Sequence, residues 1–270
     1  MYYFKYPNVG DMLNEEILSS IFQLKFESDT IQTADLCCVG SLLDNLITNT
    51  DIGEWEKKML TECDFNKPIH IWGTGLMYHY ENIPQEGVRH FIIHALRGEK
   101  TRKRVSEILG KEISCVLADP GLLSSLIVKP SEKKYSLGII PHFVDRNEEI
   151  FKKMLEYYPN SKFIDVQEET KDVLKEISEC EYIISTRLHG LIIADSYCIP
   201  NCWCEISDNI LGNRFKFHDY FSSFGTDREC FDLRNGELPD IEKDFKCNFQ
   251  SEDQVYKKQN ELIECFPFKL

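Results

Sequence analysis

The stretch 185–190 combines side chains that bind anions with one that transfers protons. Short apolar runs at 182–184 and 191–194 flank it, and the second has helical spacing, so the pattern predicts a buried strand that turns into a helix. The first N–H groups of a helix lack backbone partners and carry partial positive charge. Hydroxyl, guanidinium and imidazole groups beside them predict a phosphate-type anion site, formed by Ser185, Thr186, Arg187, His189 and Gly190.

A purely structural interpretation of this turn stays open. Turns rich in Ser, Thr and Gly connect strands to helices in many α/β proteins, and Arg187 could pair with a carboxylate of the protein. Polar residues end other predicted strands as well: Arg97 follows the strand 89–96 and His142 follows the strand 137–140. Because open α/β sheets bind ligands at the carboxyl ends of their strands, Arg97 and His142 are further candidates for substrate binding.

The N-terminal segment has the same strand-turn-helix pattern. Residues 1–6 are aromatic and strand-like, and Pro7 and Gly10 interrupt them. Asp11 is predicted to be the N-cap of an amphipathic helix that runs to about Leu24. Asn8 and Asp11 are candidate site residues, although turning and capping the chain would account for both.

The alternation of strands and helices predicts an α/β fold with parallel, doubly wound sheets. A polar segment with Pro130 and three lysines, 128–134, separates two such halves, so we expect domains at 1–130 and 131–270. The final amphipathic helix, 254–265, is expected to cross back to the first domain.

Composition excludes several classes of function. The formal net charge of −14 disfavours binding to nucleic acid and docking on anionic lipid. No apolar run approaches the ~18 residues that span a bilayer. The odd count of 11 cysteines, without a signal peptide, predicts a cytoplasmic protein. Cys198, Cys202 and Cys204 could suggest a soft-metal site, but no Cys-x-x-Cys or His-rich pair completes it, so core packing is expected for them.

Six short motifs resemble those of the polysaccharide pyruvyl transferase family. The most specific is S-x-R-L-H-G-L-I-x-A-D at 185–195, followed by Ile199 and Pro200. The others keep the family's order along the chain and are N-V-G-D at 8–11, W-G-T-G at 72–75, R-G at 97–98, D-P at 119–120 and P-H at 141–142.

This resemblance implies two Rossmann-like domains that face a cleft, as in glycosyltransferases of the GT-B type. It implies transfer of pyruvate from phosphoenolpyruvate to a sugar of a cell-surface polysaccharide, in a capsule or exopolysaccharide, or to a lipid-linked precursor, as a cyclic ketal and without an organic cofactor. The enzyme would work in the cytoplasm. With a lipid-linked acceptor, it would work at the inner face of the membrane. The first domain would face the acceptor and the second would bind phosphoenolpyruvate.

The resemblance also implies roles for the candidate residues. Arg187 and His189 would hold the phosphate, and His189 would also protonate it or the methylene carbon. Arg97 would hold the carboxylate, with His142 as a secondary contact. Asp11 would activate the sugar hydroxyl.

Two other functions share this architecture. A nucleotide-sugar glycosyltransferase would use the same helix start. Many such enzymes have two glutamates about eight residues apart that serve nucleotide binding. Eight residues after Glu205 the sequence has Asn213, so this pattern is missing. A non-catalytic protein that binds sugars or anions is the second alternative, and the intact R-L-H-G and R-G motifs argue against it.

Overall fold

The structure is a computed structural model, and it describes residues 1–30, 33–44, 67–78, 89–207, 212, 214–245 and 250–268. The strands in these ranges form two sheets, and every paired strand runs parallel to its neighbour. The predicted α/β class with parallel sheets is therefore confirmed. None of the helices in these ranges has the length and apolar character that a bilayer-crossing helix needs.

The first sheet follows the order of the chain, β1-β2-β3-β4. Its strands are β1 (Leu36–Cys37), β2 (Ile69–Trp72), β3 (Phe91–Leu96) and β4 (Val116–Leu117). A parallel bridge between Tyr2 and Cys37 adds the N-terminal segment beside β1. The helices of this half are α1 (Val9–Glu16), a π-helical turn (Ile17–Ile21), α2 (Glu99–Leu109), a 3-10 turn (Pro120–Leu123) and α3 (Ser124–Ile127).

The second sheet has the order β6-β5-β7-β8-β9, in which the strand order reverses between β5 and β7. In an open parallel sheet such a reversal opens a crevice at the carboxyl ends of the two strands. The strands are β5 (Tyr135–Ile140), β6 (Ser161–Phe163), β7 (Cys180–Ser185), β8 (Asn201–Glu205) and β9 (Phe231–Asp232). The helices of this half are α4 (Glu149–Tyr157), α5 (Thr170–Ser178), α6 (Leu188–Ser196), α7 (Phe215–Ser222), α8 (Ile241–Asp244) and α9 (Glu252–Glu264).

The start of α1 differs from the prediction. Asn8, and not Asp11, is the N-cap: its backbone is extended, and its side chain accepts a hydrogen bond from the Asp11 amide at 3.2 Å. Asp11 lies in the first helical turn, where its Oδ2 accepts a hydrogen bond from Asn8 Nδ2. The α-helix also ends at Glu16, and a π-helical turn replaces its predicted continuation to Leu24.

One hydrophobic core cluster contains side chains from both halves of the chain, including Ile71 and Leu96 of the first sheet and Ile183 of the second. A second cluster, with Leu137 and Ile184, covers the other face of the second sheet. The division at 130/131 into two domains stays a prediction.

The last helix, α9, contacts the first half of the chain. The indole Nε1 of Trp72 donates a hydrogen bond to the Leu262 carbonyl at 3.0 Å, and Lys258 Nζ donates to the Leu117 carbonyl at 2.6 Å. Just beyond the helix, the ring of Phe266 stacks on Phe22, with 3.7 Å between the ring centres.

Candidate active site

A cavity of about 440 Å³ lies at the reversal point of the second sheet. This volume is in the range of ordinary small-molecule sites. Both halves of the chain line it, with Phe4, Tyr6, Asn8, Asp11, Gly40, Ser41, Leu42 and Met77 from the first and His142, Phe143, Arg187, Leu188, His189 and Lys216 from the second.

The turn between β7 and α6 is held by its own side chains. Ser185 Oγ accepts a hydrogen bond from the Arg187 amide at 3.0 Å, and it lies 2.9 Å from the Arg187 carbonyl oxygen. Thr186 Oγ1 accepts from the His142 amide at 2.7 Å, which ties the end of β5 to this turn. A Cβ on Gly190 would lie 2.3 Å from Ser185 Oγ, so only glycine fits there. Ser185, Thr186 and Gly190 shape the turn and are not among the residues that line the cavity.

Arg187 brings a buried cation to the cavity wall. Its side chain projects from the N-cap of α6, and its Nη2 donates to Asn8 Oδ1. Its Nε and Nη1 are buried and have no hydrogen-bond partner in the ranges that the structure describes. Burial lowers the pKa of the guanidinium to about 10, against the opposing effect of Asp11, so the group stays charged at neutral pH. Because buried donors are almost always paired, these two N–H groups point to a missing acceptor.

His189 lies in the first turn of α6, next to Arg187. Its Nε2 is also buried, and no described residue forms a hydrogen bond with it. Burial, followed by the charges of Arg187, Arg97 and Lys216, lowers the pKa of the imidazole well below its usual value. His189 is therefore uncharged at neutral pH. A Cβ on Gly10 would lie 2.3 Å from His189 Nδ1, so the glycine lets helix α1 approach the imidazole.

Lys216 is a cation of the site that sequence reasoning missed. It belongs to α7 and lines the cavity, with its Nζ 5.6 Å from the centre of the Phe217 ring. No carboxylate in the described ranges forms an ion pair with it. Burial and the charges of Arg187 and Arg97 lower the pKa of its ammonium to about 7. Only a weak feature of the sequence could have identified Lys216 as a site residue: it is the only Lys or Arg in the aromatic segment 215–221.

Asp11 supplies the carboxyl group of the cavity. Asn8 Nδ2 donates to Asp11 Oδ2, so Asn8 bonds both Asp11 and Arg187. Burial raises the pKa of the Asp11 carboxyl, while Asn8 and Arg187 act in the opposite direction. The structure thus brings the N-V-G-D and R-L-H-G motifs together at one site, as their candidate roles require.

His142 lines the cavity at the end of β5. Its ring stacks on that of Phe143, with 4.7 Å between the ring centres. Burial and the nearby charges of Arg187 and Lys216 lower its pKa to about 3. Neutral His142 can therefore offer a hydrogen bond to a ligand without adding charge.

Arg97 lies behind the cavity wall and does not line it. Its side chain is fully buried, with Nε 2.9 Å from Asp219 Oδ2 and Nη1 donating to Ser41 Oγ at 2.7 Å. The same carboxylate accepts from the amide and hydroxyl of Thr101, at 2.7 and 2.6 Å. Sequence reasoning put Arg97 at the correct strand end. The partner of this guanidinium, Asp219 on α7, could not be predicted, because it lies 122 positions away in the sequence.

No set of three or more His, Cys, Asp or Glu residues within the described ranges has a metal-binding arrangement. The described cysteines are free thiols. Cys202 and Cys204, considered above as soft-metal ligands, have sulfur atoms 3.7 Å apart in the core on the other face of the second sheet.

The chain belongs to the polysaccharide pyruvyl transferase family, whose family model matches residues 8–208. This range includes Asn8, Asp11, His142, Arg187 and His189, while Lys216 lies beyond it. Two relatives extend the comparison. A protein of Acanthamoeba polyphaga mimivirus, named uncharacterized protein L143, is 26% identical over 234 residues, which are 84% of this chain and 75% of that protein.

The second relative is the succinoglycan biosynthesis protein ExoV of Rhizobium meliloti (strain 1021). It is 24% identical over 162 residues, which are 59% of this chain. The alignment spans about half of ExoV, 49% of its length.

Proposed function

We propose that the protein transfers the pyruvyl unit of phosphoenolpyruvate to a sugar of a cell-surface polysaccharide or its precursor, as a cyclic ketal. The observation that carries this proposal is a set of three buried nitrogen atoms at the start of α6 that have no hydrogen-bond partner among the described residues: Nε and Nη1 of Arg187 and Nε2 of His189. Both residues line one cavity, at a helix N-terminus that favours anions.

Charge supports phosphoenolpyruvate as the ligand. Phosphate and carboxylate together carry roughly 2.5–3 negative charges near neutral pH. Among the described residues, Arg187 and Lys216 are the cations that line the cavity, in a chain whose net charge is −14. An anion is therefore attracted by this pocket and not by the protein as a whole. Each charge-assisted hydrogen bond contributes about 1.5–3 kcal/mol.

The arrangement also supports roles for the other side chains. Arg187 and His189 hold the phosphate, with Lys216 as the second cation and His142 as a neutral contact. Arg97, predicted to bind the carboxylate, acts on it through the Ser41 hydroxyl that it holds on the cavity wall.

The reaction needs an acid and a base. A proton is added to the methylene carbon, which leaves an oxocarbenium-like carbon that a first sugar hydroxyl attacks. The bond from this carbon to the phosphate oxygen then breaks, and a second hydroxyl attacks the same carbon and gives its proton to the leaving phosphate. The products are a cyclic ketal and inorganic phosphate. His189 is the acid, because a bound anion raises the pKa that burial and neighbouring cations lower. Asp11 takes the proton of the first sugar hydroxyl.

The fold supports a GT-B-like arrangement as part of this proposal. Residues 1–130 would present the acceptor and residues 131–270 the donor, with the cavity between them. Phosphoenolpyruvate is made in the cytoplasm, so the same proposal puts the reaction there, on a glycan precursor at the inner face of the membrane.

Isothermal titration with phosphoenolpyruvate, run beside UDP and GDP, tests the donor. We expect phosphoenolpyruvate alone to bind, and Arg187→Ala to weaken binding at least about a hundredfold, since two to three charge-assisted bonds are lost. Arg146→Ala is the matched control, because Arg146 lies on the same half but pairs with Asp165 and Gln167 outside the cavity. Binding of a nucleotide without phosphoenolpyruvate would instead identify a nucleotide-sugar glycosyltransferase.

A further inference from the structure

Three aromatic side chains lie on the wall of the cavity and partly in solvent. Phe4 is 50% exposed and Tyr6 is 44% exposed, and Phe143 is partly buried beside them. We call Phe4, Tyr6 and Phe143 the aromatic rim. The N-terminal segment supplies Phe4 and Tyr6, and the loop after β5 supplies Phe143, so the rim joins the two halves of the chain.

The rim is continuous with the proposed anion site. The rings of Tyr6 and Phe143 are 5.5 Å apart between centres, at an interplanar angle of 43°. The guanidinium carbon of Arg187 lies 5.8 Å from the centre of the Phe143 ring. A ligand held by Arg187 would therefore have these aromatic rings at its side.

The aromatic rim attracts different chemical groups from those that the cations of the cavity attract. The face of an aromatic ring carries partial negative charge, so it repels the phosphate and carboxylate of phosphoenolpyruvate. The same face attracts C–H groups, which carry partial positive charge. A pyranose ring has such C–H groups on its face and hydroxyls around its edge, so it can stack on the rim and still present hydroxyls to polar side chains.

We propose that the aromatic rim is the acceptor subsite and binds one pyranose ring of the glycan by stacking. This inference rests on the proposed function and adds the place of the second substrate. The sugar would lie between the rim and the cationic part of the cavity, with its hydroxyl edge toward Asp11. Asp11 lines the same cavity and has the pKa of its carboxyl raised by burial, as suits a group that accepts a proton.

Saturation-transfer NMR of the full chain tests the subsite. The probes are the methyl pyranosides of glucose, galactose and mannose, each measured with and without phosphoenolpyruvate. For at least one probe, we expect transfer to be concentrated on the C–H protons of one ring face. In Tyr6→Leu/Phe143→Leu the transfer should fall about fivefold, since aromatic contacts contribute about 0.5–1.5 kcal/mol beyond apolar burial.

Leucine keeps the apolar area and removes the aromatic face, so this variant separates stacking from general hydrophobic contact. Tyr6→Phe keeps the ring and should retain the wild-type signal. Tyr157→Leu, which removes an aromatic residue that is 66% exposed on α4, should also leave the signal unchanged. The affinity of the double variant for phosphoenolpyruvate should stay within about fivefold of wild type, because the rim contributes no cation and the Phe143 ring makes one cation–π contact with Arg187.

Two outcomes would overturn the inference. One is equal transfer in wild type and in Tyr6→Leu/Phe143→Leu, which would make the rim a general apolar surface such as one for a lipid carrier. The other is no transfer to any probe in either condition. Failure of the proposed donor looks different: pyranosides would stack on the rim while titration with phosphoenolpyruvate gave no heat.

Discussion

Lys216 shows how burial sets the chemistry of a single residue. Its ammonium faces the cavity near Arg187 and has a pKa lowered to about 7. The group therefore exchanges its proton near neutral pH, unlike an exposed lysine. A bound polyanion would reverse the local electrostatic environment and raise this pKa again. Anion binding and proton uptake at Lys216 should then be linked.

We predict that the affinity for phosphoenolpyruvate falls as pH rises above 7. Before the anion binds, Lys216 loses its proton above that pH, and the bound anion requires the charged form, so binding must add a proton to Lys216. This proton alone should raise the dissociation constant toward a limit of about tenfold per pH unit between pH 7.5 and 8.5. Titration in buffers of different ionisation enthalpy at pH 8 should show uptake of nearly one proton by Lys216, in addition to the proton that His189 takes up.

Lys216→Arg gives the matched test, because a guanidinium stays charged throughout this range. At pH 8 this variant should take up nearly one proton fewer than wild type, and its dissociation constant should rise less steeply with pH between 7.5 and 8.5. Lys171→Arg, on α5, should keep the wild-type slope. A slope in Lys216→Arg equal to that of wild type would assign the proton to another group.

Two helices from opposite halves meet at the imidazole of His189. Helix α1 approaches it at Gly10, where a Cβ would lie 2.3 Å from Nδ1. The glycine is thus explained by packing between elements and not by a turn. The same contact brings Asn8 and Asp11 at the start of α1 to the start of α6.

We predict that Gly10→Ala destabilises the protein by about 1–3 kcal/mol, because the added methyl group overpacks this contact. In a His189→Ala background the clash is absent, and alanine favours the helix by up to about 1 kcal/mol. There the same change should be neutral or stabilising. Denaturant unfolding of wild type, Gly10→Ala, His189→Ala and the double variant measures this double-mutant cycle. An equal cost in both backgrounds would show that Gly10 does not pack on His189.

The hydrophobic core joins the two halves of the whole molecule. Side chains from β2, β3, β7 and α6 belong to one cluster, and Phe266, after the last helix, packs between Phe22 and Trp72. The hydrogen bonds of α9 with Trp72 and Leu117 also join the two halves. We therefore expect the described core to unfold in one cooperative step.

Phe266→Ala should lower the free energy of unfolding by about 3–5 kcal/mol, as for other buried aromatic side chains. Hydrogen exchange at rising denaturant should show amides of β2 and β7 losing protection together, in wild type and in the variant. Ile263→Ala, at a position that is 38% exposed, should cost less than about 0.5 kcal/mol. Loss of protection in β2 alone would show that the halves fold independently.

Local sequence determined the features that depend on short segments. The apolar run, the polar turn and the second apolar run at 182–194 predicted β7 and α6 because strand and helix periods are local properties. Local apolar runs also predicted the strands that end just before Arg97 and His142. The resemblance of the short motifs predicted the family, which the family model confirms. The N-cap was misassigned between Asn8 and Asp11 because both residue types cap helices equally well.

Tertiary structure decided which of these residues meet and in what charge state. Asn8 and Arg187 are 179 positions apart and share a hydrogen bond, and Asp219 pairs with Arg97 across 122 positions. No sequence period encodes such contacts. Burial also lowers the pKa values of Lys216, His142 and His189. Desolvation is a property of the folded cavity. The sequence therefore predicted an anion site at the 185–190 turn, and only the fold decided which cations line the cavity beside that turn.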